Sequence, residues 1–324
     1  MDATAPPLPT FTDVLDAAAR IAPHAHVTPV LRSRALDALA GCELHFKCEP
    51  LQRSGAFKFR GACNAVWSLS VAEAARGVVT HSSGNHGAAL ALAARTRGIA
   101  CHVVVPEGAV AAKLAAIEAY GATLHRCAPG IAAREQAAAR VERETGANFV
   151  HPYTDPRVIA GQGTAALELL QVAGALDVLV VPVGGGGLAS GCALTLAAQA
   201  PACALVLAEP RGAADTAASL AAGTRVTEFV PDTICDGLRG TLGAPDFELL
   251  QRHRASVTEV DDADTLAAMR LLWTRLKLLV EPSSAIALAA VLQDPGRYAG
   301  RRVGVVLSGG NVDLDALPAW FAPA

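Results

Sequence analysis

The feature that most constrains the fold is an alternation. Short β-branched runs take turns with alanine-rich stretches of helical length along nearly all of the 324 residues. Residues 77–81 (G-V-V-T-H) predict a strand and 87–97 a helix. Residues 101–105 predict a strand and 110–120 a helix, with Gly121 placed to end it. Strand 123–126, helix 131–145 and strand 148–151 complete one compact block. A second series follows, with helix 158–172, strand 178–183, helix 188–199 and strand 204–207. Later come helices 264–277 and 283–292 and strand 303–307. Strands joined by helices of this length pack as parallel sheets covered on both faces. The expected class is therefore α/β, with two open parallel-sheet domains facing a cleft. In such folds, loops at the carboxyl ends of strands bind ligands.

Composition excludes several classes. A hydrophobic share of 52% supplies an ample core, and a formal charge of -3 argues against a nucleic-acid partner. None of the eight cysteines forms a C-x-x-C pair; scattered through apolar segments, they read as reduced core residues of a cytoplasmic protein. M-D-A-T-A-P-P-L-P-T lacks the basic-then-apolar pattern of a leader. Residues 178–208 carry no charge and could span a bilayer, but four consecutive glycines and two prolines interrupt them. They read as strand, loop, helix and strand, and no membrane partner is expected.

That interruption, V-G-G-G-G-L-A-S-G, joins a buried strand to a helix start. Without Cβ atoms, backbone N–H groups can converge, and a helix N-terminus adds positive potential. The loop is a phosphate cradle. Gly184, Gly186 and Ala189 also fit G-x-G-x-x-A, with Glu209 ending the next strand, so a dinucleotide and an NAD-dependent oxidoreductase stay open on this stretch alone.

Three other stretches bear chemistry. In S-G-A-F-K-F-R-G-A, Lys58 lies between two phenylalanines. Apolar surroundings disfavour the ammonium form, and a neutral amine can form a Schiff base. A reactive lysine with a phosphate cradle is what pyridoxal phosphate requires. In T-H-S-S-G-N-H-G, a polar loop opens a helix and offers Ser82, Ser83, Asn85 and His86 beside free N–H groups, which suits a carboxylate. S-G-G-N, from Ser308, follows the strand V-G-V-V-L.

Together and in this order, these stretches resemble the fold-type II pyridoxal phosphate enzymes, the tryptophan synthase β-like group. Within it the chain looks like serine/threonine dehydratases and serine racemases. H-P-Y-T-D-P-R-V-I-A-G-Q-G-T, from His151, is similar to the family's segment there. The resemblance implies a large cofactor-binding domain from 1–67 and 153–324, and a small mobile domain over 68–152. It gives Lys58 the cofactor, sets Phe57 against the ring and Asn85 at the ring hydroxyl. Gly184, Gly185, Gly186, Gly187 and Leu188 hold the phosphate, and Ser308 meets the pyridine nitrogen. Ser82, Ser83, Gly84, Asn85, His86 and Arg134 bind substrate.

The implied reaction is dehydration of serine, threonine or 3-hydroxyaspartate to a 2-keto acid and ammonia. Lys58 acts as the base. Ser83, at the racemases' second-base position, adds amino-acid racemisation. Glu209, the carbonyl of Ala213 and Asp215 match the family's divalent-metal site, suited to Mg²⁺. Gly240 stands where racemases offer a serine, and Arg239 beside it reads as solvent-exposed. Ala88 replaces a nucleotide-binding glutamine, so ATP activation is not expected. A homodimer is implied. The alternatives are a β-replacement synthase on the same cofactor, the NAD-dependent oxidoreductase above, and a non-catalytic binding protein of the same fold.

Overall fold

The computed structural model describes residues 7–321. The leader reading rests in part on residues outside these. Ten strands form two sheets. They are β1 (Val30–Leu31), β2 (Glu43–Cys48), β3 (Val78–His81), β4 (Cys101–Pro106), β5 (Thr123–Cys127), β6 (Asn148–Phe149), β7 (Val178–Pro182), β8 (Ala204–Pro210), β9 (Ser256–Val260) and β10 (Arg302–Leu307). The six-stranded sheet runs β1-β2-β10-β7-β8-β9, and the four-stranded sheet runs β5-β4-β3-β6. Every pairing is parallel except β1 with β2. The mixed α/β class with parallel sheets is as expected. The uncharged run at 178–208 is indeed strand, loop, helix and strand, and no helix among the described residues is long and apolar enough to cross a membrane.

Central strands read as continuous apolar runs because both faces are covered. β7 is buried throughout, as is β10 beyond its first residue, Arg302. Helix Pro282–Leu292 is buried along ten of its residues, Pro282 to Val291, and packs over the larger sheet. Several predicted ends move, the strand from Ala204 running on to Pro210 among them. Residues 150–151 leave the smaller sheet, so β6 stops at Phe149. The predicted helix 264–277 starts at Asp262 and becomes a wider turn at Leu272–Leu276, ending in the left-handed Lys277.

Three helices bring the chemistry together. Lys58–Trp67 crosses Pro156–Ala173 where Gly61 meets Gly161; a Cβ on Gly161 would lie 2.6 Å from the Gly61 Cα. Pro156–Ala173 in turn crosses Gly187–Gln199 where a Cβ on Gly191 would lie 2.5 Å from the Gly163 nitrogen. Backbone-to-backbone contact at both crossings sets the lysine and the glycine loop against one shared helix.

Candidate active site

Lys58 opens helix Lys58–Trp67, and its Nζ donates to the carbonyl of Pro152 at 2.9 Å. The amine lies 5.1 Å from the centre of the Phe57 ring. Burial pushes its pKa down to about 8, while the carboxyl of Asp246 pulls it up. Backbone bonds tie this segment to the S-G-G-N loop. Phe57 N donates to Ser308 O and Gly310 N to Gly55 O, both at 2.9 Å, and Ala56 bridges Gly309. Ser308 is buried, and its hydroxyl reaches the Ser283 carbonyl at 3.3 Å. Lysine and serine, 250 residues apart in sequence, thus share one floor.

The glycine loop leads into helix Gly187–Gln199. A Cβ on Gly184 would lie 2.7 Å from the Leu238 backbone, and one on Gly185 would lie 2.5 Å from the Tyr153 ring. On Gly186 it would lie 2.5 Å from Asp246 Cβ, and on Gly187 2.9 Å from the Tyr153 carbonyl. Four glycines are therefore required by packing as well as by any phosphate. Pro152, which holds Lys58, is bonded in sequence to Tyr153, which covers the loop.

β3 ends in the serine loop, and helix Asn85–Arg97 begins behind it. Its first-turn N–H groups have no acceptor within the helix. Asn85 Nδ2 donates to Glu281 Oε1 at 2.8 Å, and Asn85 Oδ1 accepts from Asn311 Nδ2 at 2.9 Å. Asn311 also donates to the Ser54 carbonyl. This carboxamide chain joins three of the four loops. Burial pushes Glu281 up to about 8, which favours its protonated form. The structure makes Glu281 the partner of Asn85.

Some residues lie differently from their motif. The His86 ring is 2% exposed, below the loop surface, and its pKa falls well below normal through burial and the nearby Lys58. Any carboxylate contact at this position falls to its backbone N–H. Arg134, on helix Ile131–Thr145, lies close enough to His81 to help burial push that imidazole down to about 4. Arg239 is exposed and bonded to the Thr233 carbonyl. His151 and Tyr153 lie in a stretch noted in the sequence for its family likeness but given no role, and Asp246 was not singled out. Tyr153 fills the space beside Gly240, where a Cβ would lie 3.6 Å from its ring.

Glu209, Ala213 and Asp215 form a separate group at the end of β8. Both Glu209 oxygens accept backbone N–H groups, from Thr216 and Ala217 at 2.8 Å, and Asp215 Oδ2 accepts from Leu242 N at 2.7 Å. Asp215 Oδ1 has no partner among the described residues. Two buried carboxylates with an unused oxygen and no lysine or arginine bonded to them fit a hard cation. Glu209 is 0% exposed, so it cannot serve as the ribose partner that a dinucleotide reading needs.

The comparisons agree with this geometry. The family model described as pyridoxal-phosphate dependent enzyme matches residues 21–309. A beta-hydroxyaspartate dehydratase from Paracoccus denitrificans is 47% identical, over 96% of this chain and 99% of its own. An L-threo-3-hydroxyaspartate ammonia-lyase from Saccharomyces cerevisiae is 42% identical, over 95% of this chain and 94% of its own. Maize serine racemase superposes with a TM-score of 0.92 at 43% identity, covering 96% of each chain. A desolvated lysine beside a four-glycine turn, inside a matched region that holds three of the four loops and the start of the fourth, means that the chain belongs to the pyridoxal-phosphate dependent enzymes of fold type II.

Proposed function

We propose that the chain is a dehydratase, an ammonia-lyase acting on a β-hydroxy amino acid, with 3-hydroxyaspartate first and serine and threonine behind it. The observation that carries this reading is the Lys58 amine held at the Pro152 carbonyl beside the glycine loop. The likeness to a β-hydroxyaspartate dehydratase over nearly the whole chain supports the substrate class, and Arg134 offers a cation to a second carboxylate.

The residues fit the cofactor. Gly184, Gly185, Gly186, Gly187 and Leu188 would cradle the phosphate, and Lys58 would take the aldehyde. Phe57, Asn85 and Ser308 would surround the ring. When bound, pyridoxal phosphate supplies an electron sink that acidifies the substrate Cα–H. The first-turn amides of helix Asn85–Arg97, with Ser82, Ser83 and Gly84, orient the α-carboxylate. Lys58 Nζ, its neutral form favoured by burial, accepts the α-proton. The β-hydroxyl leaves as water, and hydrolysis of the released imine returns one water, giving a 2-keto acid and ammonia. A β-replacement synthase would share these residues and differ in admitting a second nucleophile.

Ser83 carries a second reading, racemisation. It lies half-buried in the serine loop, where the family resemblance puts a second base. Glu209, Ala213 and Asp215 would hold Mg²⁺. A cytoplasmic homodimer completes the proposal. The test is a keto-acid assay across 3-hydroxyaspartate, serine and threonine. Release of keto acid and ammonia in equal amounts is expected, and Lys58→Ala should abolish it. No keto acid from any of the three would sink the reading.

A further inference from the structure

Asp246 is a buried titratable group that the mechanism above leaves unused. It lies on helix Ala244–Arg252 and is 0% exposed. One oxygen, Oδ1, accepts from Ser190 Oγ at 2.8 Å, in the first turn of the helix that the glycine loop opens. The other, Oδ2, has no hydrogen-bond partner among the described residues. The carboxyl lies against the loop itself, because a Cβ on Gly186 would be 2.5 Å from Asp246 Cβ and 3.0 Å from Cγ. Gly243, three residues earlier, donates its N–H to the Gly185 carbonyl at 3.0 Å. So an orphaned, fully buried carboxyl oxygen lies between the loop, the helix N-terminus and the turn that braces the loop.

A carboxylate there would repel a phosphate dianion, whereas a carboxylic acid would donate to it. We propose that Asp246 is a cofactor-binding residue that holds a proton at Oδ2 and donates it in a hydrogen bond to the phosphate in the glycine cradle. Burial favours the protonated form and pushes Asp246 up to about 8. The titratable groups facing it are Lys58, whose cation opposes that rise, and the Tyr153 phenol, which Asp246 helps push up to about 12. The first-turn amides and this acid would then form one donor set without a lysine or arginine in the cradle. The inference rests on reading the glycine loop as the phosphate site.

The test compares pyridoxal phosphate with pyridoxal, which lacks the phosphate. Dissociation constants are measured by equilibrium dialysis against the apo-protein between pH 6.5 and 9.5, with Tm recorded for each variant. In the unsubstituted protein, pyridoxal phosphate should bind more weakly as the pH passes 8, relative to pyridoxal. Asp246→Asn keeps a donor and should bind pyridoxal phosphate with no such step. Asp246→Ala should lose about 10- to 100-fold in affinity for pyridoxal phosphate, the worth of a hydrogen bond to a charged group, with pyridoxal unchanged. Equal losses for both compounds in Asp246→Ala, or no loss, would overturn the inference and leave Asp246 a packing residue. If the unsubstituted protein binds the two compounds equally well, the cradle reading itself fails. That failure is visible without any variant.

Discussion

At the scale of single residues, the consequence of burying Lys58 is a change in the population of its neutral form. With its pKa lowered to about 8, roughly one amine in ten is neutral at pH 7, against roughly one in three thousand for an unperturbed lysine. Desolvation disfavours the cation, so the neutral fraction grows as pH rises and saturates above 8. Capture of pyridoxal phosphate by the apo-protein should accelerate about tenfold from pH 6.5 to 7.5 and level off above 8.5. Stopped-flow absorbance checks this; a rate still rising steeply at pH 10 would mean the amine is solvated. Ser83→Ala makes a second expectation at this scale. It should remove racemisation by at least about tenfold, the loss of one acid–base group, while keto-acid release persists. Chiral chromatography of recovered substrate decides it, and undiminished racemisation would dismiss Ser83 as the second base.

At the scale of elements, the helix that begins with Lys58 is anchored by charge. Arg60 is fully buried and pairs with Glu49 at 2.8 Å and Glu168 at 2.7 Å. Lys47, on β2, pairs with Glu168 and with the Thr28 carbonyl. Two cations face two carboxylates across four elements, so the network is balanced. Arg60→Met removes one cation and leaves a buried carboxylate unpaired, a loss of about 3–5 kcal/mol. A clear fall in Tm is expected, along with weaker pyridoxal phosphate retention because the lysine's helix is no longer held. A Tm unchanged by the substitution would show that Lys47 compensates alone.

This network also explains what the sequence concealed. Residues 43–48 read E-L-H-F-K-C, an apparently amphipathic mixture, yet β2 is buried at five of its six positions, with Lys47 paired to Glu168 on a distant helix and His45 bonded to Glu43 in the same strand. Partners more than a hundred residues away leave no local pattern. The apolar strands and their helices were legible because one periodicity sufficed. Of the candidate site, the four loops could be read as motifs. Asp246 and Tyr153 could not, since their importance lies in what a folded glycine loop leaves room for.

Across the whole molecule, the carboxylate group at the end of β8 and the glycine loop are linked through one short turn. Asp215 Oδ2 accepts from Leu242 N, and Arg225 donates to the Leu242 carbonyl at 3.0 Å. The Leu242 side chain lies where a Cβ on Gly186 would meet it at 2.8 Å, and the next residue, Gly243, bonds to Gly185. A cation bound by Glu209, Ala213 and Asp215 would fix Asp215, hence the turn, hence the loop. Without it, Asp215 would keep only its bond to Leu242 N, and the turn would be anchored less firmly. Removing divalent cations with EDTA should therefore lower Tm and also weaken pyridoxal phosphate binding by about tenfold, near 1.4 kcal/mol, with Mg²⁺ restoring both. Asp215→Asn should abolish the Mg²⁺ response while leaving the protein folded, because the amide oxygen still accepts from Leu242 N. A fall in Tm with an unchanged cofactor dissociation constant would mean that the cation braces only the edge of the larger sheet, and that the turn at Leu242 does not transmit its presence to the cradle.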